Sequence, residues 1–370
     1  MFKRNVLAVS LSLGLAAVSG QVMADAIGGG ATLPAGVFNE IITDEGYAFE
    51  AYIGVGSSGG KRAFFNNDST EFGYTGGETV HYAGSDSVAS SSEISNYATN
   101  DEALYGMLIQ VPFAGTSVTV PYNNSDLTAL NLTSSQLAKI FSGQITDWAD
   151  PALGLTGVTS KQITVVYRTD GSGTVEIFTR HLAAVEPSLF QTSNNFLLAR
   201  VGTPDPSAVF VGASGSSGVV SAMNGIDGAI TFVSPDYVDA GNAMEVAAIE
   251  NQNDSTHYLP TQVNVQATFA AATPPATTNT NPADWAPVFP DPSAGYPIAG
   301  FTFMLLSQCY SDNAIGTEIG NFMLNHYTGF HDGYVSGADL VPLPTSWQNA
   351  VLNTYALSID DAMDCAGIGR

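Results

Sequence analysis

The sequence predicts an α/β protein of two domains, each a mostly parallel sheet flanked by helices, with the chain crossing twice between them. Three observations carry this expectation. The chain has 370 residues, long for one hydrophobic core and comfortable for two. A strand, a glycine-rich turn and a helix follow one another at several points. Two long extended runs change character midway, as segments that pass between domains do.

In chain order, residues 1–24 read as a cleavable leader. Lys3 and Arg4 form a basic start, Val6 to Val18 is an apolar run, and Val22-Met23-Ala24 ends in small residues. The mature chain would begin at Asp25, periplasmic or secreted. The apolar run is too short for a stable transmembrane helix, and no cysteine near the cut offers a site for lipid attachment. No later stretch is long enough to span a bilayer.

The first strand-turn-helix unit is Asp25-Ala-Ile-Gly-Gly-Gly-Ala-Thr-Leu-Pro34, with the proline near the first helical position. The second runs from an alternating strand, Phe49 to Val55, through Gly54-Val-Gly-Ser-Ser-Gly-Gly-Lys61 into a helix at Lys61 to Asn66. The third is His81-Tyr-Ala-Gly-Ser-Asp-Ser87, followed by a helix near Ser92 to Tyr97 with Ser91 or Ser92 as its cap and Glu93 in its first turn. The extended run Leu108 to Tyr122, broken by Pro112 and Gly115, is the first crossing. Ser134 to Phe141 is an amphipathic helix capped by Thr133.

The fourth unit is the most informative. Ile163 to Tyr167 are β-branched or aromatic and read as a buried strand; Val175 to Leu182 have helical spacing. Arg168 to Thr174 is then a strand-to-helix turn. Ser172 or Thr174 can cap the helix, Gly171 and Gly173 let backbone approach a ligand, and the free N–H groups of the first turn attract an anion. Arg168 adds a planar fork of donors at the strand end. Gly-Ser-Gly-Thr also serves as a plain capped turn, so the local sequence leaves both readings open.

Further along, Gly212 to Met223 reads as a flexible loop entering a helix, and Gly228 to Tyr237 as strand-like. The proline-rich stretch 271–295 reads as a surface excursion outside the core. Gly295 to Leu306 is the second crossing, and Ala314 to Tyr327 a helix.

The formal charge is −24, and −26 without the leader's Lys3 and Arg4. Nucleic acid and anionic membrane surfaces both need a basic footprint that this chain lacks. A small anion remains compatible, since its site depends on local dipoles and one well-placed arginine. Cys309 and Cys365 are the only cysteines. In an exported chain they are expected to pair and tie the C-terminal tail to the body.

These turns also carry a family likeness. The start Asp-Ala-Ile-Gly-Gly-Gly-Ala-Thr-Leu-Pro resembles that of the DING proteins. So do Tyr52-Ile-Gly-Val-Gly-Ser57, Ala83-Gly-Ser-Asp86, Phe141-Ser-Gly with Asp147-Trp148, Val166-Tyr-Arg168, Ser172-Gly-Thr174, Gly295-Tyr-Pro-Ile298, Ser307-Gln-Cys-Tyr310 and Val341-Pro-Leu-Pro344. The resemblance implies a two-domain periplasmic binding protein of the type II Venus flytrap kind. Its first domain would be residues 25–114 with 300–370, and its second 115–299. It further implies capture of inorganic phosphate between the domains for an inner-membrane ABC permease. The ligand set carried over is Thr32, Leu33, Ser57, Asp86, Arg168, Ser172, Gly173 and Thr174.

The chain departs from the family in lacking the asparagine of the DING start, in reading Thr169-Asp170-Gly171 after the arginine, and in having one cysteine pair where relatives often have two. The second domain's scaffold would be looser for it, and Asp170 is expected to orient Arg168 without touching the ligand. Asp86 suits selectivity: a carboxylate accepts a hydrogen bond from a phosphate that keeps a proton and from no fully ionised sulfate. We expect a monomer with no cofactor, no metal, no catalytic residue, no nucleic-acid partner and no membrane insertion. Two other functions stay open. One is a secreted alkaline phosphatase, for which His81, His326 and His331 would be the candidate metal ligands; the other is an extracellular adhesion or matrix protein.

Overall fold

The computed structural model describes residues 25–238, 245–270, 272–356, 358–360 and 363–370; the expected leader at 1–24 lies outside them. Along the chain come strands β1 (Gly28–Gly30), β2 (Ile53–Gly54), β3 (Tyr82–Ser85), β4 (Leu108–Ser117), β5 (Pro121–Asn123), β6 (Asn131–Leu132) and β7 (Thr164–Arg168). They continue with β8 (Val209–Ala213), β9 (Ala229–Ile230), β10 (Glu245–Val246), β11 (Ala248–Asn251), β12 (Thr256–Tyr258) and β13 (Ala299–Ser307).

One sheet has the order β2-β1-β3-β13-β4 and a second the order β10-β5-β9-β7-β8; a small third sheet is β12-β11-β6. In the first sheet β1, β2 and β3 run parallel, and β13 is antiparallel to both β3 and β4. In the second, β9, β7 and β8 run parallel, β5 is antiparallel to β9, and β10 is antiparallel to β5. Each sheet therefore has a parallel half, whose strand ends feed helices, and an antiparallel half.

The two extended runs pass between the sheets side by side. β4 ends in the first sheet at Ser117, β5 starts in the second at Pro121, and between them Val118 N–H donates to the Ile298 carbonyl at 2.8 Å. The Tyr296 hydroxyl donates to the Val118 carbonyl at 2.8 Å. Pro112 fits inside a central run because the ladder slips there. Phe303 pairs with Pro112 and Thr302 with Ala114, leaving Phe113 as an extra residue where the missing N–H does no harm.

The helices follow their sequence signals, with small shifts at the ends. Helix Ala35–Glu45 buries Val37, Phe38, Ile41 and Ile42 and stops at Gly46, whose φ is 70°. Helix Ser134–Ser142 has Thr133 as cap with Gln136 closing a capping box. The third unit's helix, Ser91–Asn100, is capped by Ser90 and not by Ser91 or Ser92. Glu93 lies three residues after Ser90, the only spacing from which the reciprocal bonds close. The expected loop at Gly212 is instead the end of β8, which enters helix Gly215–Asn224 directly.

One larger correction concerns 271–295. Residues 272–295 are irregular, yet Trp285 is fully buried against Trp347 and Tyr355, and Phe289 meets Phe269 and Phe301. Prolines exclude regular ladders but not anchoring aromatics, and the indole Nε1 donates to the Asn279 carbonyl within the excursion at 2.7 Å.

At the C-terminus, Cys309 and Cys365 form a disulfide. Arg370 is buried over the Phe64 ring, with Nη1 donating to the Phe64 and Val80 carbonyls and Nε to Ser307 Oγ. Among the described residues no helix is long and apolar enough to cross a membrane. Because the disulfide ties down a tail 56 residues on in sequence, Cys309→Ser/Cys365→Ser is expected to lose roughly 2–5 kcal/mol. Urea unfolding of the double variant beside wild type checks this.

Candidate anion-binding cleft

Turns at the ends of β1, β2, β3 and β7 converge where the two sheets face each other. Ser57 opens helix Ser57–Asn66 after Gly56, whose φ of 82° turns the chain back from β2. Its Oγ accepts two backbone N–H groups, one from Asp86 at 3.1 Å and one from Gly173 at 3.2 Å. Asp86 follows β3, and Gly173 opens helix Gly173–Val185 on the opposite wall. A Cβ on Gly173 would stand 2.3 Å from Asp86 Cβ and 2.6 Å from Ser57 Oγ, so only glycine permits this approach.

Arg168 ends β7 with 2% of its surface exposed. Nε donates to Asp170 Oδ1 at 2.7 Å, Nη2 to Asp170 Oδ2, and Nη1 to Ser216 Oγ at 3.0 Å. Three of a guanidinium's five N–H groups are thereby used, leaving one on each terminal nitrogen. Asp170 also accepts the Gly215 N–H at 3.0 Å. Burial alone would raise this carboxyl, but the bonds from Arg168 and Gly215 outweigh it and hold it below the usual range. Asp170 orients the arginine, as the sequence suggested.

The remaining predicted residues sit on the turns that follow β1 and β7. Thr32 and Leu33 form the turn from β1 into helix Ala35–Glu45, Leu33 buried and Thr32 half-buried. The Thr32 methyl faces Gly54, where an added Cβ would meet it at 3.3 Å. Ser172 and Thr174 are buried beside Gly173, and Ser172 N–H donates to the Asn194 carbonyl at 3.0 Å. Ser172 sits at the cap position of the helix without a side-chain capping bond, which leaves its hydroxyl for other use.

Asp86 is the electrostatic oddity. It is 3% exposed, and its Oδ1 has no hydrogen-bond partner among the described residues. Burial pushes its pKa up to about 7; the Thr302 hydroxyl and the Arg168 charge pull the other way, while Asp236 and Glu176 add to the rise. A carboxyl of this kind changes charge near neutral pH.

Sequence reasoning missed four contributors. Ser216 holds Arg168, and its strand-to-helix setting after Gly212-Ala-Ser-Gly repeats the pattern that exposed the other turns. Ser58 accepts from Asn194 Nδ2 at 3.0 Å across the cleft, and Thr302 faces Asp86 from β13. For Asn194 and Thr302 no local signal exists. The three candidate histidines lie elsewhere. His81 Nδ1 accepts the Ile27 N–H, His326 Nε2 donates to the Phe113 carbonyl at 2.7 Å, and His331 Nε2 meets the Tyr47 hydroxyl. Among the described residues no group of three or more His, Cys, Asp or Glu gathers to hold a metal.

The profile of a family described as "PBP superfamily domain" matches residues 17–325. "Alkaline phosphatase L" of Pseudomonas aeruginosa is 42% identical over 96% of this chain and 94% of its own length. A high-affinity periplasmic phosphate-binding protein solved with phosphate, PfluDING, is 39% identical with a TM-score of 0.83, covering 94% of this chain and 99% of that one. The chain belongs to the DING proteins of the PBP superfamily. An ancestral soluble variant of the human phosphate-binding protein is similar at 37% identity and a TM-score of 0.85, with the same coverage of both chains. In this DING protein the two-domain α/β architecture is thus shared along nearly the whole chain.

The raised Asp86 has a consequence for stability. Its folded pKa lies above the unfolded carboxylate's, about 3.9. Between that value and about 7 the folded protein holds a proton the unfolded chain has released, so this group's contribution falls as pH rises through the window. Asp86→Asn is therefore expected to stabilise the ligand-free protein at pH 8 by on the order of 2–4 kcal/mol and to gain almost nothing at pH 4. Urea unfolding of both proteins at the two pH values reads the difference.

Proposed function

We propose that this protein captures inorganic phosphate between its two domains, residues 25–114 with 300–370 and residues 115–299, and delivers it to an inner-membrane ABC permease. The observation that carries the reading is the meeting of opposite electrostatics at one point. Arg168, with two N–H groups to spare, and the N-terminus of helix Gly173–Val185 attract an anion, while the buried, unpartnered Asp86 oxygen needs a donor. A phosphate bearing one proton satisfies both; a sulfate leaves two acceptors facing each other, which costs several kcal/mol in a dry site.

In this reading Thr32 and Leu33 offer backbone and hydroxyl donors from the first turn, and Ser57, whose Oγ already joins the two walls, offers its hydroxyl. Arg168, Ser172, Gly173 and Thr174 close the second wall, and Asp86 selects. The relatives support the ligand, since phosphate-binding proteins stand among them at 36–39% identity. A periplasmic location, with a leader cleaved before Asp25, belongs to the same proposal.

Calorimetric titration with phosphate, arsenate and sulfate tests it. Phosphate is expected to bind with micromolar or tighter affinity, about −8 kcal/mol or better, and sulfate not to register. Arg168→Ala is expected to weaken phosphate binding by roughly 2–5 kcal/mol, because the anion loses its buried cation and the half-buried Asp170 its partner. Wild-type affinity in that variant would sink the assignment. Steady turnover of nitrophenyl phosphate by the wild type, lost in Asp86→Asn, would instead align the chain with its relatives named alkaline phosphatase.

A further inference from the structure

Thr302 is a fully buried hydroxyl within strand Ala299–Ser307, whose other residues up to Leu306 are apolar or glycine, and its Oγ1 has no hydrogen-bond partner among the described residues. Burying a hydroxyl without a partner is unfavourable, and a valine would fill the same volume. Its location gives a reason for the hydroxyl. β13 and β3 pair antiparallel with Phe303 opposite Ser85 and Met304 opposite Gly84. Carried one step beyond the end of β3, that register sets Thr302 opposite Asp86. Directly opposed residues of an antiparallel pair have Cβ atoms about 5 Å apart on one face, a distance a hydroxyl and a carboxylate can bridge. Asp86, whose Oδ1 is buried without a partner among the described residues, as is the neighbouring Ser87 Oγ, is the residue across that pair.

We propose that Thr302 is a positioning residue for the anion site: its hydroxyl donates to one oxygen of Asp86 and keeps that carboxyl an ionised acceptor whose other oxygen takes the ligand's proton. The inference rests on the reading of the cleft as a phosphate site. Without the donor, Asp86 would retain its own proton to higher pH. A protonated Asp86 has a donor to offer, so it would lose its preference for an oxyanion that brings one. Several other groups bear on Asp86. Arg168 on β7 favours its ionised form, and Glu176 on the facing helix and Asp236 in the turn Pro235–Tyr237 oppose it. Tyr52 also lies near, but its hydroxyl donates to the Ala31 carbonyl at 2.9 Å. None of these changes in a Thr302 variant, so a difference between variants isolates the threonine.

The test compares wild type with Thr302→Val, which keeps the shape and removes the hydroxyl, and Thr302→Ser, which keeps the hydroxyl. The Asp86 carboxyl is titrated by carbon-13 NMR in ligand-free full-length protein, with Asp86→Asn assigning the signal. Phosphate and sulfate binding are measured by calorimetry from pH 5.5 to 8.5. In Thr302→Val the Asp86 titration is expected to move up by about one pH unit, the size of one hydrogen bond to a charged group. Phosphate affinity at pH 6.5 is expected to fall about tenfold and to recover by pH 8.5. Thr302→Ser is expected to follow wild type in both. An Asp86 titration unchanged in Thr302→Val overturns the proposal whatever the binding result. A loss of affinity equal at every pH does the same, since it marks a packing role. If Asp86 shifts as expected while wild type binds no phosphate, the positioning role stands and the phosphate reading fails.

Discussion

The cleft depends on one buried arginine and the half-buried aspartate that pairs with it. A guanidinium as enclosed as Arg168 cannot stand unpaired, because the desolvation of its charge would exceed anything the fold returns. Asp170 meets that demand from two residues away, taking Nε and Nη2 on one edge of the fork, and Ser216 takes part of the other. What is left is a cation held rigidly with two N–H groups unspent. Asp170 is fixed in turn by Gly215, so the arginine's orientation is anchored to a second strand-to-helix turn behind it. A lysine in place of Arg168 could not be divided in this way between a structural and a binding edge.

Around that pair the two walls have unequal characters. The wall from β7 is cationic and rich in backbone donors; the wall from β3 carries Asp86, with Thr302 beside it on β13. The chain brings them together by passing twice, close by, between the sheets, with Val118 bonded to Ile298 and Tyr296 spanning to Val118. Ser57 joins the walls directly, since one hydroxyl oxygen accepts an N–H from each. The contacts that cross the cleft include small groups: a serine, a pair of glycines at 56 and 171, and the Asn194 amide on Ser58. Such an interface can open and reclose at little cost in buried apolar area.

Much of this was legible along the chain. The strand-to-helix turns at Thr32, Ser57, Asp86 and Arg168 announce themselves by glycine and serine between a β-branched run and a helical one, and the structure draws all four into one place. Where the reading failed, the signal was ambiguous in a definable way. Three consecutive serines compete to cap the helix at Ser91, and only the reciprocal bond to Glu93 chooses Ser90. Proline density at 271–295 speaks about backbone regularity and is silent on burial, so Trp285 was placed outside the core it fills. The three histidines, candidates only for the phosphatase alternative, each meet a partner far away in sequence: Ile27, Phe113 and Tyr47.

By itself the sequence determined the α/β alternation, the two crossings, the disulfide and the composition of the strand-to-helix turns, because each of these is written in local period, spacing or residue chemistry. Only the tertiary structure decided that Ser216 completes the arginine clamp, that Asn194 reaches Ser58, and that Thr302 stands opposite Asp86. The physical reason is the distance along the chain: 48 residues separate Arg168 from Ser216 and 136 separate Asn194 from Ser58. Strand register and domain closure create those neighbours, and no local pattern encodes either.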